Sequence, residues 1–346
     1  MSKELIGVQY LRGIAAMLVV LHHLYFDNTQ LGPFGVKIFF VISGFVMWFT
    51  TAGVNISPLS FWRRRLVRIV PLYWFFLSLL VGIGLSAPHY LKSTEITPGT
   101  VVKSFLFIPH FHAAQKLIAP ILIPGWSLNY EMFFYFIFGI ALLIRSDTRR
   151  AIIVGIFLST LVLLGLSLNP EGAVTATYTN PDLLLFLDGI ILAMIYRAHN
   201  FGSVILGLIL ISIGALSASS GVPGDFGLFE NVMGLSPALI VAGALALEPA
   251  IRRAPSVILH TAGNASYSIY LSHLFFLRLS ELSWRHFVDF GSSAALEVTY
   301  VAFAFIFAIA GGIAIHYFIE HPLLLLSGRD RRLVSTHLVD GRPASN

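Results

Sequence analysis

Apolar runs long enough to cross a bilayer recur along this chain from residue 8 to residue 326, with no polar interval of domain size between them. A membrane-spanning helix needs about 17 to 25 such residues, so the runs predict an all-α, polytopic integral membrane protein rather than a set of soluble domains. Composition agrees: of 346 residues 56% are hydrophobic and 11% charged, whereas an average soluble chain carries about 25% charge. So few charges would leave the surface of a soluble globule of this size uncovered. The spans fall near residues 8–26, 35–51, 70–87, 126–144, 151–168, 182–196, 202–219, 231–248, 260–279 and 296–319, about ten helices in all. They make up one transmembrane domain, residues 1–326, and residues 327–346 read as a polar tail.

Orientation follows from the basic residues. With the N-terminus inside, fifteen of the twenty-two lysines and arginines fall in inside segments, and only Lys92, Lys103, Lys116 and Arg285 fall outside. The positive-inside rule then predicts both termini in the cytoplasm. The net charge of +5 is spread over short arginine runs between apolar segments and forms no aromatic-studded groove, which argues against nucleic acid as a partner. With no cysteine there is no disulfide, no thiolate metal site and no acyl thioester on the protein. The first apolar run carries Arg12 and lacks a small-residue cleavage site, so it reads as a retained helix and not as a signal peptide. The outside segment 88–125 is long and includes the apolar stretch VVKSFLFIPHF, which predicts a re-entrant or interfacial element.

Ionisable side chains inside spans point to chemistry, because each costs about 2.5 to 3.5 kcal/mol to bury there. In the first helix Arg12 and His23 are eleven residues apart, which places them within roughly 20° of one face and about 16 Å apart along the axis. His22 points about 100° away from that stripe. In the fourth helix, which opens PGWSLNYEMFFYF, Glu131 lies about five residues in, at a depth matching His23. A carboxylate beside an imidazole fixes its tautomer and raises its basicity, as a general base requires. Asp188 and His273 also fall near mid-membrane, either as hydrogen-bonding groups between helices or as chemical groups. Ser43 and Gly44 are expected to serve close helix packing. In FWRRRLVRIVPLYWFF the cluster Arg63, Arg64, Arg65 and Arg68 is either a lipid-headgroup anchor or an anion site for donor phosphates, with Pro71 expected to start the third helix.

The segments LRGIAAMLVVLHH, GVKIFFVISGFVMW, FWRRRLVRIVPLYW, GWSLNYEMFFY, ASYSIYLSH and YFIEHP together resemble, in order, the signature segments of the acyltransferase-3 family of membrane acyltransferases. They span residues 10–322, and the first two are most similar to bacterial exopolysaccharide acetyltransferases of the succinoglycan type. The resemblance implies a ten-helix fold in the bacterial cytoplasmic (inner) membrane. It implies transfer of an acyl group, usually acetyl, from cytoplasmic acyl-CoA to a sugar hydroxyl on a lipid-linked or exported glycan. By motif position Arg12 and His23 match the family's essential pair, Glu131 the acidic residue of its tryptophan-serine-leucine segment, Arg68 the arginine before proline-x-tyrosine, and Glu320 the glutamate before the final proline. Ser127, Tyr270 and His273 lie in these segments as supporting residues. Where the family commonly has an aspartate in the second helix, this chain has Lys37.

The expected chemistry has acyl-CoA as co-substrate, with no permanently bound cofactor, and a glycan or lipid-linked oligosaccharide as acceptor, in contact with membrane lipid. Arg12 and the cluster from Arg63 to Arg68 would hold the donor. His23 would either deprotonate the acceptor hydroxyl or carry the acyl group itself, and Glu131 would orient the imidazole. Trp126, Tyr130 and Tyr135 are candidates to stack on sugar. No metal is called for, since a thioester is already activated. The alternative is a proton-coupled transporter or flippase using His23, Glu131 and Asp188 as a relay, although no internal repeat supports it.

Overall fold

Within the described residues each predicted segment is mainly helical, and the reason for the arrangement is visible in where the small and the charged residues fall. The computed structural model describes residues 4–25, 30–87, 96–112, 117–199, 202–219, 234–287 and 294–326. Among them the structure is all-helical apart from one isolated bridge, Phe111 to Ile118. The helices are α1 (Ile6–Tyr25), α2 (Leu31–Thr51), α3 (Pro58–Ser86), α4 (Pro98–Phe105), α5 (Trp126–Ala141), α6 (Asp147–Leu168), α7 (Ala173–Tyr178), α8 (Leu184–Ala198) and α9 (Val204–Ser219). After residue 233 come α10 (Leu235–Ala246), α11 (Glu248–Arg253), α12 (Val257–Asn264), α13 (Ser266–Phe287), α14 (Ala294–Ile315), a π turn at His316–Glu320, and α15 (His321–Leu326).

Among the described residues five helical stretches are long and apolar enough to cross a membrane, and the chain is a multi-pass membrane protein. The polar tail at 327–346 lies outside the described residues. Large apolar side chains stay exposed along α6, α9 and α14, among them Ile156, Leu163, Ile205 and Ile306, as expected of faces solvated by lipid.

The core is built on α2, which packs against α1 on one side and α8 on the other. Contact with α8 is backbone to backbone: a Cβ at Gly44 would sit 2.0 Å from the Phe186 carbonyl oxygen. Glycine there lets the two helices approach as small residues do in membrane interfaces, and so the sequence reading of Gly44 holds. The start of α1 is fixed by a buried carboxylate from far along the chain. Glu248 accepts from the N–H groups of Ile6 (3.0 Å) and Gly7 (2.7 Å), satisfying orphan donors at the positive end of the helix. Arg252, 2.7 Å from Glu248, balances its charge.

One element differs from expectation, and another takes a definite form. Pro71 does not start a helix: α3 begins twelve residues or so earlier than its apolar run, at Pro58, with Ser57 as N-cap, and Pro71 is interior to 29 helical residues. A neighbouring tyrosine ties this stretch to α13, Tyr267 donating its hydroxyl to the Ile69 carbonyl at 2.7 Å. The segment after residue 96, expected to be re-entrant or interfacial, holds the two-turn helix α4, opened by a Thr97–Thr100 capping box. It is tied to α3 by Tyr73 and Trp74, which donate to the Ser104 (3.0 Å) and Phe105 (2.9 Å) carbonyls. Val102 and Leu106 on α4 stay exposed.

Candidate active site

Two adjoining cavities open inside the bundle, and most of the predicted site residues line one or the other. The larger, about 250 Å³, lies toward the arginine-rich end and is bounded by α1, α2, α3, α5 and α13. Its polar wall is Arg12, Arg65, Arg68, Ser43, Glu131 and Tyr135. The smaller, about 100 Å³, is lined by His22, His23 and His273 with Gly32, Trp126 and a set of aliphatic residues. Val36 and Tyr270 belong to both linings, so these two side chains stand at the junction.

Helix phase decides which arginines enter. Because α3 starts at Pro58, Arg65 and Arg68 sit three apart on one face and line the larger cavity, while Arg63 and Arg64 turn outward and are exposed. The Arg65 guanidinium lies 5.6 Å from the ring centre of Phe61 and 6.0 Å from that of Tyr135, within cation–π range. Arg12 donates to Gln9 Oε1 at 3.1 Å and sits in the field of Arg68, Glu320 and Glu131. These charges are near balance, two carboxylates against the guanidinium groups. A low-dielectric interior demands such compensation for buried charge.

Glu131 is not set against His23 in the way its depth suggested. Its Oε1 accepts from Ser43 Oγ at 2.7 Å and from the Tyr135 hydroxyl, and its place is the arginine-lined cavity. Glu320 stands behind that cavity, outside its lining, accepting from Ser268 Oγ (2.6 Å) and His316 Nδ1 (2.8 Å). The π turn that carries it is the kind of helix irregularity often found at functional sites.

His23 lines the smaller cavity. Its Nδ1 lies 3.0 Å from the Val19 carbonyl oxygen, so this nitrogen donates. His273 is fully buried and shows the same pattern: Nδ1 donates to the Tyr270 carbonyl at 2.6 Å, and its ring centre is 4.9 Å from that of His23. His22 does not face elsewhere. Its ring lies 5.0 Å from that of His23 and fills the space over Gly32, where a Cβ would come within 2.4 Å.

Tyr270 is held rigidly, donating to the Pro124 carbonyl (2.8 Å) while Ser127 Oγ lies 2.8 Å from its hydroxyl. Trp126 borders the smaller cavity, whereas Tyr130 packs on Phe40 and Trp126 and lines neither. Asp188 also lines neither cavity, and Lys37 lies 3.8 Å from Asp182. Ser43, Gln9 and Tyr267 were not foreseen as part of the site. Tyr267 shares a helix face with Tyr270, three residues on, and that spacing was the available signal.

An acyltransferase domain model of the acyltransferase-3 type matches residues 5–317, nearly the whole bundle. The chain belongs to the acyltransferase-3 family. It is therefore an acyltransferase, and the histidine and arginine cavities lie within the matched region. This acyltransferase-3 chain is 34% identical over 313 residues to the exopolysaccharide production protein ExoZ of Rhizobium meliloti, covering 89% of this chain and 94% of that one. It is 28% identical to the acyltransferase MdmB of Streptomyces mycarofaciens, covering 89% and 84% respectively. The O-acetyltransferase OatA of Staphylococcus aureus is 27% identical over 77% of this chain and 49% of its own length. No solved structure matches.

Proposed function

We propose that this chain is an O-acetyltransferase of the bacterial cytoplasmic membrane, with ten transmembrane helices and both termini inside, that moves an acetyl group from cytoplasmic acetyl-CoA to a hydroxyl of an exopolysaccharide or its lipid-linked precursor. The observation that carries this reading is the junction of an arginine-lined cavity with a histidine-lined one along a single helix. Arg12 and His23 are separated by about 16 Å of α1, a span suited to a donor whose charged end and reactive end are far apart. The relatives named for exopolysaccharide production and for O-acetyl transfer support the acceptor class.

In this reading Arg12, Arg65 and Arg68 hold donor phosphates as convergent guanidinium groups do. Arg63 and Arg64, exposed at the same end, attract donor or lipid headgroups without entering the site. His23 Nε2 accepts the proton of the acceptor hydroxyl as its oxygen attacks the thioester carbon; the C–S bond breaks, and the thiolate leaves with the proton held by His23. Glu131 offsets the arginine charge, a role its Ser43 and Tyr135 bonds suit better than orienting an imidazole.

The test is CoA release from labelled acetyl-CoA by membranes containing the full chain, with His23→Ala alongside. Loss of a general base lowers rate by about 10²- to 10⁴-fold. Deleting the gene is expected to remove O-acetyl ester from the surface polysaccharide; equal ester content with and without it would refute the assigned acceptor.

A further inference from the structure

The histidine cavity is small, and its size carries a consequence for the acyl group. As a scale, a cavity of about 150 Å³ accommodates benzene, roughly 25 Å³ for each heavy atom. The cavity beside His23 is about 100 Å³, which on that scale takes about four heavy atoms. An acetyl group in transfer needs this many: methyl, carbonyl carbon, carbonyl oxygen and the attacking hydroxyl oxygen. Butyryl adds two more, and succinyl adds four, including a carboxylate that no lysine or arginine of the lining meets.

The walls differ in how readily they yield. Tyr270 is pinned by Pro124 and Ser127, and His273 by its bond to the Tyr270 carbonyl. Gly32 gives no slack either, because the His22 ring already occupies the place of its missing side chain. Besides Trp126 and two prolines, the aliphatic walls Val19, Val36 and Ile123 remain, and of these Val36 and Ile123 lie on other elements than the one that carries His23. Val36 is buried, 4% exposed, and it also lines the donor cavity, so an acyl arm coming from the arginine end must pass it.

We propose that the histidine cavity is an acyl-length filter, in which Val36 and Ile123 restrict the transferred group to acetyl. The inference rests on the acetyl-CoA reading above and adds to it the residues that set donor specificity. Replacing Val36 with alanine removes two carbons, on the same scale about 50 Å³, which is the room butyryl needs beyond acetyl.

The experiment uses inverted vesicles from polysaccharide-producing cells that lack the native gene and express the full chain or a variant. Thiol release is followed with acetyl-, propionyl-, butyryl- and succinyl-CoA in turn. Since each methylene in a tight pocket is worth roughly 10- to 200-fold in selectivity, the unmodified chain should use butyryl-CoA at least about 100-fold more slowly than acetyl-CoA. Val36→Ala and Ile123→Ala should each raise the butyryl-to-acetyl ratio by about 10-fold or more. Comparable use of butyryl and acetyl donors by the unmodified chain overturns the filter. So does an unchanged ratio in variants that still transfer acetyl; should Val36→Ala be inactive with every donor, Ile123→Ala and the unmodified chain decide. No release from any donor overturns the acetyl-CoA reading itself, and the filter falls with it.

Discussion

Four arginines within six positions of α3 split into two that line the larger cavity and two that do not, and this separation is measurable. Arg65→Ala and Arg68→Ala are expected to raise the KM for acetyl-CoA by about tenfold or more each, the loss of one charge-assisted contact being worth about 1.5 to 3 kcal/mol. Arg63→Ala and Arg64→Ala should change it by no more than about twofold, as exposed charges do. Equal effects from all four would mean that the donor binds at the surface of the bundle and not in it. The chemical residue types were legible in the sequence, since Arg12, His23, Arg68 and Glu131 stand out as charges in apolar runs. Their partners were not. Reading the third helix from residue 70 left the arginines without a helical phase, and depth alone paired Glu131 with His23 when Ser43 and Tyr135 were the nearer donors.

At the scale of elements, the α2–α8 contact is the most demanding joint in the core. Gly44→Ala would drive a methyl into the Phe186 carbonyl, so the helices must part, at a cost expected from overpacking of about 1 to 3 kcal/mol. Thermal unfolding in detergent should show a lower midpoint for Gly44→Ala, and a midpoint equal to that of the unmodified protein would remove α2–α8 apposition from the account of stability. Within the described residues every predicted segment is mainly helical because hydropathy reports apolar length well. Where that signal fails is at polar helix ends and at interruptions. The arginine turn of α3 was assigned to a loop for its charge, and the single run 260–279 is in fact α12 and α13, broken at Ala265. The short α4 was legible only as an apolar stretch, re-entrant or interfacial, because the hydrogen bonds that tie it to the side of α3 come from distant residues.

For the whole molecule, the absence of cysteine makes orientation directly measurable. A single cysteine placed at Val102 should react with an impermeant maleimide in intact cells, and one at Arg149 only after the membrane is opened; the reverse pattern would invert the donor and acceptor sides. Among the described residues five helices meet the length and apolarity of a span, and the sequence had counted about ten. The other five predicted segments fall on α5, α8, α9 and α10, of 16, 15, 16 and 12 residues, and on α13, which is long enough but carries Arg278, Glu281 and Arg285. The two-chamber interior has a bearing on cell energetics. An open tube wide enough for a thioester arm would also conduct protons, and the host membrane would lose its electrochemical gradient. The phenol of Tyr270 is braced between the chambers, so Tyr270→Ala in proteoliposomes is expected to hasten the collapse of an imposed pH difference, and an unaltered decay would mean that the insulation resides elsewhere.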